Sequence, residues 1–351
     1  MRIAVDAMGG DFAPGVVVEG LAAALYDFPG HDFYLVGDER KLSFYLAKYG
    51  IAGHPRLISV TAGSAVEMSD PSTLALRGKK DSSMTVCAKL LKEKTVDAVV
   101  SAGHTGAAVA TTKVMVRTLP GIDRAALAAS MPWRDGRFLL VDAVANPDCS
   151  PKNLIQFAIL GEIYAQYLYG LEHPRIGLLS VGGEDVKGNE MTKATFKLLE
   201  NMPINFVGNV EGDTVFAGTC DVVICDGFAG NILLKGCEGM ARTIMFWMKR
   251  ALGKNALRMT GAMLAKNAFR ELKHLGDGDE IGGAPLLGVN GICIVGHGSS
   301  SPKAVRNAIR IAMECVEFGL NDRIIRRIAE CHATTHELEA AIEEHLKATG
   351  K

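Results

Sequence analysis

Residues 97–117 of the 351-residue chain read DAVVSAGHTGAAVATTKVMVR, and this stretch decides the fold class. Its first five residues form a short, mostly apolar run of the kind that buried strands show. A glycine-containing turn follows, and from Thr105 the small and apolar residues recur with the 3.6-residue spacing of a helix. The stretch therefore predicts a strand, a tight turn and a helix in direct succession.

The same unit recurs along the chain. Strands are predicted at 2–6, 33–37, 97–101, 175–181, 221–225 and 291–296, and helical spacing appears at 105–117, 152–168 and 190–200. Because these strands are apolar nearly throughout, we expect a parallel sheet that helices cover on both faces. The alternation predicts a doubly wound α/β fold, as one domain over 1–351, in which ligands bind beyond the carboxyl ends of the strands.

Composition excludes several classes of protein. A net charge of −1 and an aromatic content of 6% argue against a nucleic-acid partner. The chain reaches Asp6 without an apolar leader, so no secretory signal is predicted. The longest segment without charged residues, 281–302, contains six glycines and two prolines, which is typical of loops around a strand rather than of a membrane helix. Eight cysteines without a C-x-x-C pair fit a reducing cytosol.

Five predicted turns between a strand and a helix carry polar residues beside glycine. They are 6–11, 102–106, 182–190, 226–231 and 297–300. A helix N-terminus offers unpaired N–H groups, and glycine lets a ligand approach the backbone, so these turns suit an anion such as phosphate. Any one of them could be only a tight turn, but five together favour anion binding. Neither G-x-x-x-x-G-K-[ST] nor G-x-G-x-x-G occurs, which argues against an ordinary NTPase or dinucleotide-binding protein.

Covalent and metal-dependent chemistry have little support. The chain has no G-x-S-x-G motif, and Cys225 and Cys293 lie inside apolar strands, where core packing is the expected role. His332 and His336 are four residues apart, but the Glu of H-E-x-x-H is missing, so a solvated helix face is the better account. We therefore predict no metal site.

The sequences of the turns resemble a known family. The opening IAVDAMGGDFAP and the later SAGHTGA, GGEDVKGNE, DGFAGN and GHGSS resemble, in this order, the PlsX phosphate acyltransferases, and the resemblance covers about residues 1–320. It implies a bacterial enzyme of phospholipid synthesis that reversibly converts acyl–acyl carrier protein and inorganic phosphate into acyl phosphate and free carrier protein. It also implies a Rossmann-like α/β/α sandwich with a mostly parallel sheet, related to phosphotransacetylases and to isocitrate and isopropylmalate dehydrogenases.

The resemblance further implies a cytoplasmic homodimer without metal or organic cofactor, whose product passes to a membrane acyl-phosphate:glycerol-3-phosphate acyltransferase. Three positions depart from the family pattern. His104 stands where the family usually has Asn, and residues 144–148 read VANPD where it usually has G-A-N-x-D. Residues 294–297 read IVGH, where a Lys often precedes the small residue before the late His-Gly. The first departure leaves the hydrogen-bonding role of His104 open.

The chemistry that the resemblance implies needs positioning and electrostatic stabilisation rather than a protein nucleophile, because phosphate itself attacks the thioester. We expect phosphate between 182–190 and 226–231, with charge from Lys187 and side-chain donors from Asn189 and Asn231. The backbone N–H groups of Gly188 and Gly230 are expected to assist. His297 is the candidate oxyanion donor or proton carrier, with a structural role as the alternative. The predicted catalytic residues are Lys187, Asn231, Asp226 and His297. The predicted substrate-binding residues are Asp6, Gly9, Gly10, Asp11, Ser101, His104, Thr105, Gly106, Gly183, Glu184, Gly188, Asn189, Gly227, Gly230, Gly298 and Ser299.

The acidic residues have two interpretations. Asp6, Asp11 and Asp226 can orient Lys187 or His297, and Asp11 can equally cap the first helix.

Residues 249–273 form a basic amphipathic patch in a nearly neutral chain. The patch holds seven Lys or Arg and one acidic residue, a local charge of +6, and it predicts a helical hairpin interrupted at Gly261. Leu252, Met259 and Met263 lie on its predicted membrane face. Such a hairpin can lie in an anionic bilayer interface, dock acidic acyl carrier protein, or pack on the chain's own core or on a second copy.

Three other functions remain open at this stage. A phosphotransacetylase that uses coenzyme A and a short acyl group would share fold and chemistry. A decarboxylating dehydrogenase would need nicotinamide and clustered aspartates, and no convincing cluster appears. A non-enzymatic scaffold for acyl carrier protein at the membrane would keep the basic hairpin and would not need the polar turns.

Overall fold

The computed structural model describes residues 1–65, 70, 79, 81–275 and 278–331. The strands are β1 (Arg2–Asp6), β2 (Asp32–Gly37), β3 (Leu57–Thr61), β4 (Ala98–Ser101), β5 (Ala126–Trp133), β6 (Gly136–Val141), β7 (Ile176–Leu179), β8 (Phe206–Val210), β9 (Val222–Ile224), β10 (Ala284–Leu287) and β11 (Ile292–Val295). The helices are α1 (Gly15–Asp27), α2 (Glu39–Lys48), α3 (Ser83–Lys92), α4 (Thr105–Met115), α5 (Pro151–Tyr169), α6 (Glu190–Leu199), α7 (Gly227–Leu252), α8 (Ala256–Leu264), α9 (Lys266–Leu275) and α10 (Pro302–Glu317). Residues 320–331 are also helical.

The strands form one sheet in the order β3-β2-β1-β4-β11-β10-β5-β6-β9-β7-β8. The block from β3 to β11 is parallel, and so is the block from β6 to β8. Between them, β10 is antiparallel to β11 and to β5, and β5 is antiparallel to β6. Three successive reversals leave the second parallel block running opposite to the first.

Helices cover both faces of the sheet, as the apolar strands predict. Alternate residues of β1 point to opposite sides, so that Ile3 and Val5 join one core cluster and Ala4 joins another. The first cluster packs α1, α5, α6 and α10 against one face. On the other face, α3 and α4 cover the first block, and the beginning of α7 covers the second.

Local signals explain where the long core helix α5 begins and ends. Ser150 accepts a hydrogen bond from the Asn153 N–H, and the Asn153 side chain accepts from the Ser150 N–H, so the two residues form a reciprocal cap. Pro151 occupies the first helical position, where a missing N–H costs nothing. Gly170 then ends the helix in the left-handed conformation, at φ 66°.

The six strands and three helices predicted from the sequence are all present, with ends that differ by one or two residues. The α/β fold class is confirmed. The hairpin of β5 and β6 and the short strand β10 were not predicted, and they are the elements that reverse the direction of the sheet.

The basic patch is helical, but the predicted break at Gly261 is wrong. The chain breaks at 253–255 and at Ala265, and Gly261 lies inside α8. Leu252 therefore ends α7, whereas Met259 and Met263 belong to α8, so the three predicted membrane-facing residues do not share one helix. We call residues 238–275 the helical arm. From Glu238 to Glu271, no arm residue is buried in this chain.

Candidate functional site

The reversal of the sheet divides the five polar turns into two groups. Turns 6–11, 102–106 and 297–300 follow β1, β4 and β11, whose carboxyl ends lie at one edge of the sheet. Turns 182–190 and 226–231 follow β7 and β9, which end at the opposite edge together with β6. We call these groups the first and the second turn cluster. All five turns precede helices, as predicted.

Asp6 is the buried centre of the first turn cluster. Its Oδ2 accepts a hydrogen bond from Ser101 Oγ at 2.7 Å, and its Oδ1 accepts from the Met8 N–H at 3.2 Å. Burial raises the pKa of Asp6, although hydrogen bonds from Ser83, Ser101 and the Met8 and Gly9 N–H groups offset part of that effect. The carboxyl group of Asp6 therefore ties three loops together and does not contact Lys187 or His297.

Close backbone contacts hold together the three turns of the first turn cluster. A Cβ on Gly9 would lie 2.7 Å from the Gly103 nitrogen, which leaves no room for a side chain. Gly10 has a φ of 117°, and the Asp11 N–H donates to the Gly298 carbonyl at 2.7 Å. The alternative that Asp11 caps α1 is wrong, because Pro14 occupies the cap position and no side chain caps that helix.

In both histidines of the first turn cluster, Nδ1 is the ring nitrogen that accepts a hydrogen bond from a backbone N–H. His104 Nδ1 accepts from the Ala107 N–H at 3.1 Å and so caps α4, which a short polar side chain such as Asn also does. This cap leaves the Thr105 and Gly106 N–H groups at the open end of α4. His297 Nδ1 accepts from the Ser299 N–H at 3.2 Å and lies 2.8 Å from Ser299 Oγ. In the neutral ring the proton is therefore on Nε2, at an exposed position.

The second turn cluster is built around two buried side chains that follow β6. Asp142 Oδ1 accepts from the Leu127, Val144 and Ala145 N–H groups, and its Oδ2 accepts from Asn146 Nδ2 at 2.7 Å. Burial raises the pKa of Asp142, and these hydrogen bonds offset part of the increase. Asp142 and Asn146, which we call the polar floor, thus form a rigid support under the turn that follows β9.

The N-terminus of α7 rests directly on that floor. The Gly227 N–H donates to the Asn146 carbonyl at 2.7 Å, and Asp226 Oδ1 caps the helix by accepting from the Ala229 N–H at 2.7 Å. A Cβ on Gly230 would lie 2.0 Å from the Asp142 carbonyl oxygen, so glycine is required for this approach. Among the described residues, no acceptor meets the Phe228 N–H.

Turn 182–190 lies at the same edge, one strand farther along. Asn189 Oδ1 accepts from the Thr192 N–H at 2.8 Å and caps α6, so part of its side chain is already engaged. The Gly183 N–H donates to Glu211 Oε1 at 3.1 Å, and the Glu184 carbonyl accepts from Asn209. Lys187 is exposed, and within the described residues its ammonium group has no ion pair.

The structure adds Lys113 to this edge, a residue that the sequence did not single out. Lys113 lies in the last turn of α4, and its Nζ donates to Asn146 Oδ1 at 2.8 Å. The α4 axis rises by about 12 Å from Thr105 to Lys113, so this helix joins the first turn cluster to the second. The only sequence signal was a single lysine in an otherwise small and apolar helix.

The thiols near the two turn clusters are poor nucleophiles. Cys293 is buried in β11, as predicted, whereas Cys225 is buried directly after the end of β9, and burial raises the pKa of both. Burial also raises the pKa of Cys149, which lies beside the α7 N-terminus, to about 11. Across 1–65, 81–275 and 278–331, no group of three His, Cys, Asp or Glu residues could hold a metal ion. His332 and His336 lie outside the described residues.

Comparison with known proteins decides the family. Residues 1–323 match the family model described as "Fatty acid synthesis protein". The chain is 45% identical to a phosphate acyltransferase of Akkermansia muciniphila over 94% of this chain and 96% of that protein. It is 44% identical to a phosphate acyltransferase of Desulfitobacterium hafniense, over 93% and 98% of the two chains. The chain belongs to the PlsX phosphate acyltransferase family.

Solved structures place this family member in a wider fold group. A phosphotransacetylase from Streptococcus pyogenes matches with a TM-score of 0.56 at 17% identity, covering 90% of this chain and 94% of that one. The EutD phosphotransacetylase from Staphylococcus aureus matches with a TM-score of 0.53 at 16% identity, with the same coverage. At this identity the likeness concerns the fold alone, and it confirms the predicted relation to phosphotransacetylases.

The two turn clusters separate the predicted catalytic residues of this family member. Asp226, Asn231 and Lys187 belong to the second cluster, at neighbouring strand ends. His297 belongs to the first cluster, at the other edge of the sheet, with the predicted binding residues Gly298, Ser299 and His104. The reversal at β10 and β5 therefore places His297 and Lys187 at opposite edges of the sheet within this chain.

Proposed function

We propose that this chain transfers a fatty acyl group reversibly from acyl–acyl carrier protein to inorganic phosphate, forming acyl phosphate for phospholipid synthesis. Membership in the phosphate acyltransferase family carries the proposal. Glycine turns that open onto helix N-termini support it, because such turns suit phosphate. The expected product is lipophilic and labile, and a membrane acyl-phosphate:glycerol-3-phosphate acyltransferase consumes it in this scheme.

We assign the phosphate nucleophile to the second turn cluster. Phosphate is partly dianionic at neutral pH, so attack on a thioester carbonyl needs orientation and charge stabilisation more than a general base. The open N-terminus of α7 and the Asn231 amide supply hydrogen-bond donors, and exposed Lys187 supplies charge. The leaving thiolate departs without a strong acid.

We assign the pantetheine arm of the carrier protein to the first turn cluster, from which its terminal thioester must reach the phosphate in the second turn cluster. The Nε2–H of His297 and the open N–H groups at the start of α4 are donors there, about 12 Å along α4 from Lys113. His297→Ala is expected to raise the KM for acyl–acyl carrier protein and to leave the KM for phosphate within about twofold. A rise in the phosphate KM alone would refute this division.

The helical arm supports two proposed contacts. On α7 its exposed apolar residues include Phe246 and Trp247, and a second copy of this chain is the proposed partner for that face. On α8, Leu257 and Leu264 are 83% and 86% exposed beside Arg258, which fits the interface of an anionic bilayer. No helix among the described residues is long and apolar enough to cross a membrane. From the family resemblance and the two exposed faces of the helical arm, we propose a cytoplasmic homodimer with peripheral membrane contact.

The function is tested by following free carrier thiol after mixing purified protein with palmitoyl–acyl carrier protein, with and without phosphate. Parallel reactions contain palmitoyl-coenzyme A or acetyl-coenzyme A as the acyl donor. Phosphate-dependent release from the carrier-protein substrate is the expected result. Release from acetyl-coenzyme A alone would assign the chain to short-chain phosphotransacetylase chemistry, and release from none would contradict enzymatic function.

A further inference from the structure

Lys113 is a half-buried cation without an acidic partner. Its Nζ donates one hydrogen bond, to Asn146 Oδ1 at 2.8 Å, and within the described residues no carboxylate lies within ion-pair distance of it. An ammonium group has three donors, so two remain unused. Burial lowers the pKa of Lys113, the nearby charge of Arg124 lowers it further, and Asp142 has the opposite effect.

Arg124 is the second cation of this region. It lies two residues before the start of β5, its side chain is exposed, and across the described ranges that side chain has neither a hydrogen bond nor an ion pair. The adjacent carboxylate of Asp123 is engaged with Lys152, at 3.0 Å. Arg124 is adjacent to Ala125, whose carbonyl accepts from the Asn146 amide that also holds Lys113, so the two positive side chains lie in the same region.

The neighbouring carboxylates are already engaged by the protein. Asp142 accepts from three backbone N–H groups and the Asn146 amide, and Asp226 accepts from the Ala229 N–H. Asn146 in turn donates to the Ala125 carbonyl at 2.7 Å, so the acceptor that holds Lys113 cannot rotate away. The polar floor thus positions the Lys113 ammonium group without neutralising it.

The N-terminus of α7 lies beside the same floor. Asn146 links it to Lys113, because its carbonyl accepts from Gly227 and its Oδ1 accepts from Lys113. The Phe228 N–H is left for a ligand, at the positive end of a 26-residue helix. One cation held by Asn146, a second exposed cation, an open N–H group and a helix dipole suit a tetrahedral anion.

We propose that Lys113 and Arg124, together with the N-terminus of α7, bind the phosphoryl group of a substrate. The identity of that substrate rests on the proposed function, in which two phosphoryl sources occur. One is the inorganic phosphate that attacks the thioester, and the other is the phosphodiester of the carrier protein's pantetheine arm. Charge-assisted hydrogen bonds of this kind correspond to an affinity loss of about 10- to 100-fold when one partner is removed.

A structural alternative is that Lys113 only balances the charge of Asp142 through Asn146. Removal of the ammonium group would then lower stability without changing the response to phosphate. The two interpretations are separated by Lys113→Gln, Arg124→Ala and the double variant. Matched controls are Lys89→Ala, at an exposed lysine of α3, and Arg40→Ala, at an exposed arginine of α2.

Two measurements are made on every variant. The first is the initial rate of thiol release against phosphate and against palmitoyl–acyl carrier protein. The second, which needs no turnover, is the increase in melting temperature that inorganic phosphate produces. We expect a rise of about 10-fold or more in one KM for each single variant, a larger rise for the double variant, and wild-type values for both controls.

The substrate whose KM rises identifies the phosphoryl source. If the KM for phosphate rises, the stabilisation by inorganic phosphate should also be lost. If the KM for the carrier protein rises instead, the site holds the pantetheine phosphodiester. Unchanged values of both KM with an unchanged phosphate response would overturn the proposal, even if the wild-type enzyme shows the proposed activity. If the wild-type protein shows no turnover, a phosphate stabilisation that the variants lose would still support the site.

Discussion

Gly230→Ala offers a sharp test of how α7 is positioned. The added Cβ would lie 2.0 Å from the Asp142 carbonyl oxygen and 3.0 Å from Cys225 Sγ. A carbon atom normally approaches a carbonyl oxygen to about 3.3 Å, so the N-terminus of α7 must retreat by roughly 1.3 Å. Gly236→Ala is the matched control, because the same substitution on the same helix meets no atom within 4 Å.

The expected free-energy changes have opposite signs. Overpacking costs about 1–3 kcal/mol, and the hydrogen bond from Gly227 to Asn146 contributes about 1 kcal/mol more if it breaks. The better helix propensity of alanine offsets up to about 1 kcal/mol. Gly230→Ala should therefore destabilise the protein by roughly 2–3 kcal/mol, whereas Gly236→Ala should be neutral or stabilising by up to about 1 kcal/mol.

Urea unfolding measures the free energy of both variants, and phosphate-dependent thiol release measures their activity. A displacement of about 1 Å in a substrate-positioning element costs roughly 100-fold in rate. We expect that loss for Gly230→Ala and near wild-type activity for Gly236→Ala. If both variants match the wild type in stability and activity, the close packing of α7 on the Asp142 carbonyl does not position the site.

Three further predictions concern other parts of the chain. Lys187→Ala should raise the KM for phosphate about 10-fold in steady-state assays, and near wild-type turnover at low phosphate would show that its charge is not used. Replacing Met259 and Met263 with Glu should abolish sedimentation with anionic vesicles. The circular dichroism spectrum should stay unchanged because both side chains are exposed. Unchanged vesicle binding would exclude α8 as the membrane contact. Burial alone would raise the pKa of Asp221, but the hydrogen bonds and charge of Arg175 lower the pKa overall. The stabilisation by Arg175 is therefore present above the unfolded pKa of Asp221, near 3.8, and is lost as the pH falls through the folded pKa. Urea unfolding of Arg175→Gln should therefore show a loss of at most about 1 kcal/mol at pH 7 and a smaller one at pH 3, and an equal loss at both would contradict the assignment.

The parallel strands could be predicted because they carry strong signals. Runs such as 97–101 and 221–225 are apolar on both faces and end in glycine turns, which only a sheet buried on both sides explains. Turn polarity likewise predicted the helix N-termini at His104 and Asp226, and both residues cap their helices through side-chain hydrogen bonds.

The antiparallel strands at the centre of the sheet have only weak sequence signals. β5 reads ALAASMPW, a run of small residues with a proline, and β10 has only four residues, one of them Pro285. Neither segment shows the β-branched enrichment by which strands are recognised. The reversals that these strands introduce therefore cannot be predicted from local signals, and they place the turns of His297 and Lys187 in different turn clusters.

No local sequence signal predicts the polar floor of the second turn cluster. Asp142 and Asn146 follow a strand in a segment that departs from the family pattern, and Lys113 lies on a helix 29 residues before Asp142. The contact between Lys113 and Asn146 depends on α4 crossing the sheet to reach the end of β6. Pairs of this kind, distant in sequence, follow from tertiary packing and have no local signature.

The central claim is that inorganic phosphate takes the acyl group. The most direct measurement is to incubate the enzyme with palmitoyl–acyl carrier protein and phosphate, trap the product with hydroxylamine, and quantify palmitoyl hydroxamate against released thiol. The account predicts hydroxamate in equal amount to thiol, formed at a rate that saturates with phosphate and vanishes without it. Palmitate released at a rate independent of phosphate would show that water is the acceptor and would contradict the account.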